Sequence, residues 1–249
     1  MRKKILEDYY PVEFLRGGQN NMSQDLQVLY EDNHVIAVYK PAGVLVQADE
    51  TGDGTLADEV KYYLKQKYHK LGRVFLGVVQ RLDRPVSGII LFGKTSKGAA
   101  RISEQIRNHT LKKTYHALVC GTPPKKSDTL VHYLTKDAKR NVVTAYEQEV
   151  EGSLRAELDY EVVEKIGNKS LVKINLKTGR PHQIRVQMAS LGCPISGDVK
   201  YGAPASTSAA STDLSEPHVL ALCATNVEFK KAVGDEVVQL EIPIPDEWK

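Results

Sequence analysis

Apolar and polar residues alternate most regularly in LDYEVVEKIGNKSLVKINLKT (158–178), where Val172, Ile174 and Leu176 interleave with Lys173, Asn175 and Lys177. That period of two, with Gly167-Asn168 as the turn, predicts a hairpin with one buried and one solvated face. LQVLYEDNHVIAVYK (26–40) predicts two short strands around Asp32-Asn33, followed by a Pro-Ala-Gly turn at 41–43. KKTYHALVCG (112–121) alternates as well, placing Lys113, Tyr115, Ala117 and Val119 on one side of a strand. GIILFGKT (88–95) is an unbroken apolar run, as expected of a buried strand, and HVLALCATNVEF with VVQLEIPIP supplies the last strands.

Helical spacing occurs three times. TLADEVKYYLKQKY opens on Thr55 and Asp58, which resemble a capping box, and puts Leu56, Val60, Tyr63 and Leu64 on one face of a helix over 56–68. SKGAARISEQIRNH groups Ala99, Ile102 and Ile106, with Arg101 and Arg107 elsewhere. GRPHQIRVQMASLG predicts a short helix with Pro181 in its first turn, a core stripe of Ile184, Met188 and Leu191, Arg185 beside that stripe, and Gly192 as terminator. In the basic, turn-rich stretch 121–141 only local pieces of strand are expected, residues 1–25 read as a leader, and the Ala/Ser/Thr-rich stretch 203–215 reads as a loop. Strands outnumber helices and do not alternate with them, so the pattern predicts an α+β fold with a largely antiparallel sheet.

Composition narrows the chemistry. The net charge of +3 permits a nucleic-acid partner without requiring one, so any basic footprint is local. Cys120, Cys193 and Cys223 are odd in number and lack metal spacing, which points to a reduced, cytoplasmic setting and no zinc site. No signal-peptide core and no apolar run of about 20 residues is present, so no membrane is expected. Gly52, Gly54 and Ala57 match a dinucleotide-type G-x-G-x-x-A, but Asp49, Glu50, Asp53 and Asp58 around it have the wrong sign for a phosphate. Without a Walker loop, HExxH or histidine cluster, no cofactor and no metal are expected.

What remains is VVQRLDRPVSG (78–88), in which Arg81 and Arg84 bracket Asp83. Alone, Asp-Arg-Pro before Ser-Gly is good turn chemistry. It does not stand alone. QRLDRPVSGIILFGKT (80–95), KKTYHALVCG (112–121) and TGRPHQIRVQMASLGCPISGDVKYG (178–202), together with VLYEDNHVIAVYKPAGVLVQ (28–47), resemble in order and spacing the RluA family of RNA pseudouridine synthases. The resemblance runs from about residue 26 to the C-terminus and implies one pseudouridine synthase catalytic domain over 26–249. Gln80 stands where a His commonly precedes the motif, Pro85-Val86 replaces a polar-Thr pair, and Cys223 replaces a His. Neither of the first two changes removes a group the chemistry requires, whereas Cys223 leaves that part of the pocket wall less defined.

The resemblance implies an enzyme that isomerises uridine in structured RNA, ribosomal or transfer, by detaching uracil and rejoining it through carbon-5. It implies no cofactor and a cytoplasmic monomer; the small basic RNA-binding appendage that many relatives carry ahead of the catalytic domain is not expected here. Asp83 maps onto the essential carboxylate, near the phenol that maps onto Tyr115 and the guanidinium that maps onto Arg185. A carboxylate acting as nucleophile or base at the sugar must be ionised, and a neighbouring Arg favours that form. Arg185 on its own could be a solvated helix Arg, or could reach a buried carboxylate. Arg81 maps onto the residue that holds the site open once the target base leaves its stack. Arg84, Lys113, Arg180, His182 and Gln183 complete the expected substrate-binding set, and Lys112, Lys125, Lys126, Lys136, Lys139 and Arg140 with Lys113 are candidates for phosphate contacts. The competing expectation is an RNA-binding protein or chaperone of the same fold without catalysis.

Overall fold

The computed structural model describes residues 2–5, 26–49, 52–202 and 219–248. The chain divides into two compact units, Met1–Leu111 with Ala224–Pro245, and Lys112–Cys223 with Asp246–Lys249. The first contains β1 (Arg2–Ile5), β2 (Val28–Glu31), β3 (Val35–Lys40), α1 (Leu56–Lys67), β4 (Gly77–Val78), β5 (Ser87–Gly93) and α2 (Ser96–Arg107). The second contains β6 (Lys112–Cys120), β7 (Ser127–Asp137), β8 (Val142–Tyr146), β9 (Leu154–Ile166), β10 (Lys169–Leu176), α3 (Gln183–Ser190) and a 3-10 turn at Val199–Tyr201. Strand β11 (Leu222–Lys230) starts in the second unit and continues in the first, which β12 (Val237–Glu241) completes.

In the first unit the order is β2-β3-β5-β11, with β12 on β11, β1 on β12 and β4 on β5. Asp32 makes the β2–β3 turn: its Oδ1 accepts the backbone N–H of His34 and of Val35, each at 2.7 Å. Thr55 caps α1 by accepting the Asp58 N–H at 3.2 Å and donates its own hydroxyl to the Asp58 carboxylate at 2.7 Å, so the two residues cap the helix together as expected. The amides of Leu56 and Ala57 donate to the carbonyls of Leu45 and Val46, so the chain itself occupies the helix start after the G-x-G-x-x-A match. β5 is buried along its whole length, and its Ile89, Ile90, Leu91 and Phe92 each contribute on the order of 1.5–3 kcal/mol of apolar burial. Gly88 has to be glycine, because φ is +119° and a Cβ would lie 2.4 Å from the backbone of Ala224 on β11. Apart from β1, which pairs in parallel with β12, the stretch expected to be a leader lies outside the described residues, as does the loop expected over 203–215.

The second unit is antiparallel throughout, in the order β6-β10-β9-β7-β8. The β9–β10 hairpin turns at Gly167, φ 59°, as its alternation predicts. Where only fragments of strand were expected, β7 runs for 11 residues. Its own pattern is diluted by basic and polar residues; the regularity comes from its partners, β9 along Ser127–Leu134 and β8 along Tyr133–Asp137. Helix α3 also differs from expectation. It begins at Gln183, two residues after Pro181, because His182 is left-handed at φ 49°. It has no solvated face over its first six residues: Gln183 to Met188 are all buried, and Leu191 is only half-buried. Packing against β7, β8 and the 3-10 turn covers both sides, which the one-stripe pattern does not anticipate. Gly192 ends the helix at φ 73°, as expected.

Candidate active site

The Asp83 segment is an irregular loop between β4 and β5, pinned by buried Leu82 on one side and buried Val86 on the other. The Asp83 carbonyl accepts the Val86 N–H at 3.0 Å, so the turn that the residues suggest is formed. Its carboxylate is half-buried between exposed Arg81 and exposed Arg84. Arg84 ties this turn to the Pro-Ala-Gly turn after β3. The Gly43 N–H donates to the Arg84 carbonyl at 2.8 Å, and Arg84 Nε donates to the Gly43 carbonyl at 2.9 Å. The guanidinium also meets Asp53 at 2.9 Å. Arg81 has no carboxylate partner among the described residues.

Beneath the turn lies Lys40, the last residue of β3 and 0% exposed. Its ammonium donates to the carbonyls of Pro41 (2.9 Å), Arg84 (2.9 Å) and Val86 (2.7 Å), filling its three N–H bonds. Burial pushes Lys40 down to about 7; the charge of Asp83 pulls it up and that of Arg84 pushes it further down. Lys40 is thus the clamp of the loop, and its protonated form is favoured by the charge of Asp83. No motif announces it. The one signal is positional: a Lys closing the otherwise apolar strand VIAVYK directly before a Pro turn.

The second unit carries the other six expected residues. On β6, Tyr115 is 7% exposed and lies opposite Ile174 of β10. Lys113, two residues earlier on the same side, is half-buried, and that burial lowers its ammonium below the usual lysine range. Gly179 passes close to it, since a Cβ there would sit 3.5 Å from Lys113 Nζ. The following loop is organised by Gln183. Its Oε1 accepts from the Thr178 hydroxyl (2.8 Å) and the Arg180 N–H (3.0 Å), while its Nε2 donates to the Glu157 carbonyl (3.1 Å). Arg180 Nε donates to the Arg155 carbonyl at 3.1 Å.

His182 Nδ1 lies 2.7 Å from the Tyr201 hydroxyl, which accepts the Val143 N–H at 2.9 Å. Arg185 is buried in α3 and forms a two-point ion pair with Asp198, Nε to Oδ2 and Nη2 to Oδ1 at 2.8 Å each. Its guanidinium stacks 5.1 Å from the centre of the Tyr201 ring. Of the two alternatives for Arg185, the solvated helix residue is ruled out, and a buried carboxylate partner is present. Asp198 and Tyr201, which hold Arg185 and His182, lie in the segment CPISGDVKYG and carry no functional signature of their own. Of the basic stretch, Lys125 pairs with Asp128 at 2.8 Å and Arg140 approaches Asp137 at 3.9 Å, while Lys112, Lys126, Lys136 and Lys139 are exposed.

Among the described residues no group of His, Cys, Asp and Glu could hold a metal ion, and no helix is long and apolar enough to cross a membrane. The family model described as RNA pseudouridylate synthase matches residues 34–190. The chain is 33% identical to an uncharacterized RNA pseudouridine synthase, YhcT, of Bacillus subtilis, over 90% of this chain and 70% of the relative. It is also 33% identical to ribosomal large subunit pseudouridine synthase D of Zymomonas mobilis, over 74% of this chain and 58% of the relative. In fold it is similar to human RNA pseudouridylate synthase domain containing 4, with a TM-score of 0.72 at 20% identity over 89% of this chain and 90% of that one. The chain therefore belongs to the RluA-type family of RNA pseudouridine synthases, enzymes that isomerise uridine in RNA.

Proposed function

We propose that the protein converts one or more uridines of structured RNA, ribosomal or transfer, to pseudouridine without a cofactor, with Asp83 as the carboxylate that acts at the ribose. The observation that carries this reading is the clamp under the Asp83 turn. A fully buried ammonium gives three hydrogen bonds to the carbonyls around one half-buried carboxylate, far more restraint than an ordinary surface turn needs. The reaction breaks the bond between uracil nitrogen-1 and the sugar and makes one from carbon-5. The proton lost at carbon-5 is balanced by one gained at nitrogen-1, so no oxidant, reductant or group donor enters. Asp83 serves as nucleophile or base at the sugar, and Tyr115 is the acceptor for the carbon-5 proton. The Arg185 guanidinium, fixed by Asp198, completes the catalytic set.

Arg81 stabilises the opened site, while Arg84, Lys113, Arg180 and His182 contact the substrate. Gln183 contributes by fixing the loop that presents Arg180 and His182. The names of relatives such as the Zymomonas mobilis ribosomal large subunit pseudouridine synthase D favour large-subunit ribosomal RNA as the first substrate to test. Asp83→Asn keeps the shape of the turn and removes the charge, and Asn is itself a good turn residue. Under single-turnover conditions with saturating enzyme, release of tritium from carbon-5 of uridine should fall below detection while RNA binding persists. Robust release by Asp83→Asn would overturn the assignment.

A further inference from the structure

Helix α2 lies outside the residues assigned above, and its outer face has an unusual charge pattern. At about 100° per residue, Gly98, Ile102 and Ile106 turn toward the protein, while Lys97, Ala100, Arg101, Glu104, Arg107 and Asn108 fall on the opposite sector. These six are exposed and line a shallow surface concavity of about 410 Å³. Three cations thus face one acid. Arg101 pairs with Glu104 at 3.0 Å, whereas Lys97 and Arg107 have no ion pair among the described residues.

Arg107 has an ordinary explanation, because a cation in the last turn of a helix is favoured by the macrodipole. Lys97 does not. It sits in the first turn, where an acid is preferred, and α2 has no acid there. Helix α1 follows the rule, with Asp58 and Glu59 in its first turn and Lys65 and Lys67 in its last. A residue that breaks a local rule without local compensation is a candidate for a functional role. With a rise of about 1.5 Å per residue, the cations from Lys97 to Arg107 are spread along about 15 Å of helix. Such a stripe suits a chain of regularly spaced anions better than one compact ligand. In an enzyme whose substrate is a polyanion, the matching partner is the phosphate backbone.

We infer that the outer face of α2 binds the phosphate backbone of the RNA substrate, away from the reacting nucleotide, through Lys97, Arg101 and Arg107. The inference rests on the RNA-directed activity of the family, not on the roles given to Asp83, Tyr115 or Arg185. It needs no bases, so it contributes affinity rather than choice of uridine.

Lys97→Glu tests it with two readouts of opposite sign. As a helix change it places an acid in the first turn, so the protein should melt at or above the wild-type temperature. As an RNA change it removes one phosphate contact and adds repulsion. With unmodified large-subunit ribosomal RNA made by transcription, the plot of log affinity against log salt should become shallower by about 0.7 to 0.9 or more. Lys97→Gln with Arg107→Gln should flatten it by about 1.4 to 1.8, and Lys65→Glu, the same charge change on α1, should leave it unchanged. A wild-type slope for Lys97→Glu, or an equal loss for Lys65→Glu, overturns the inference. Tritium release by the wild type from the same RNA is measured separately, so failure of the catalytic reading on that RNA would be seen independently of the salt slope.

Discussion

Replacing Lys40 by Met tests whether a buried charge organises the Asp83 turn. Met keeps most of the length and removes the ammonium. The Arg84 carbonyl retains the Gly43 N–H, so the loss falls on the carbonyls of Pro41 and Val86. Leaving a buried acceptor without its donor costs about 1–3 kcal/mol, and this falls mainly on Val86, the buried one of the two; below about pH 7 removal of the buried charge offsets part of that loss. The pH dependence is the sharper readout. The ordinary lysine value is 10.5, and burial brings Lys40 down to about 7. Between those values the unfolded chain holds a proton that the native state gives up, so the native state gains stability as pH rises through the window. Below about 7 both states are protonated and the native protein bears the full cost of the buried charge. At about 1.36 kcal/mol per pH unit the swing is at most about 5 kcal/mol, a ceiling because the three carbonyl acceptors favour the charged form. Lys40→Met lacks this term. The stability difference between wild type and variant, from urea unfolding at a series of pH values, should therefore widen between about pH 7 and 10.5. Single-turnover tritium release by the variant should fall further than its folded fraction does, because the turn carrying Asp83 is no longer held. A difference that stays flat or narrows with rising pH, or wild-type turnover by the folded variant, would refute the reasoning.

Two further substitutions check the packing around the candidate residues. Arg185→Ala leaves Asp198, 1% exposed, as an uncompensated buried charge, and should cost about 3–5 kcal/mol in denaturant unfolding; Arg185→Met with Asp198→Leu should recover much of it, and a single variant as stable as wild type would contradict the buried pair. Gly98→Ala should destabilise although helix propensity alone predicts a gain of up to about 1 kcal/mol, because the new methyl would lie 2.1 Å from the His34 carbonyl oxygen and overpacking costs about 1–3 kcal/mol; a raised melting temperature would show that α2 has room to move.

Where a property depends on neighbours in the chain, it was readable from the sequence alone. The alternation of β10, the paired Thr55 and Asp58 at the start of α1, the Asp32 turn and the unbroken apolar run of β5 each specify a local structure, and the structure follows them. The order and spacing of the motifs around Asp83, Tyr115 and Arg185 carried the family resemblance. Partners that are distant in sequence were not readable. β7 is a strand of 11 residues because β8 and β9 supply its hydrogen bonds, not because its own residues alternate well. The six buried residues at the start of α3 reflect packing on both sides, whereas periodicity reports only the most apolar face. Asp198 and Tyr201 matter because the fold returns them to Arg185 and His182. Lys40 is the clearest case: by composition a lysine belongs in water, and only tertiary structure can add to the neighbouring Pro41 carbonyl the two from Arg84 and Val86, 44 and 46 residues away, that make its burial tolerable.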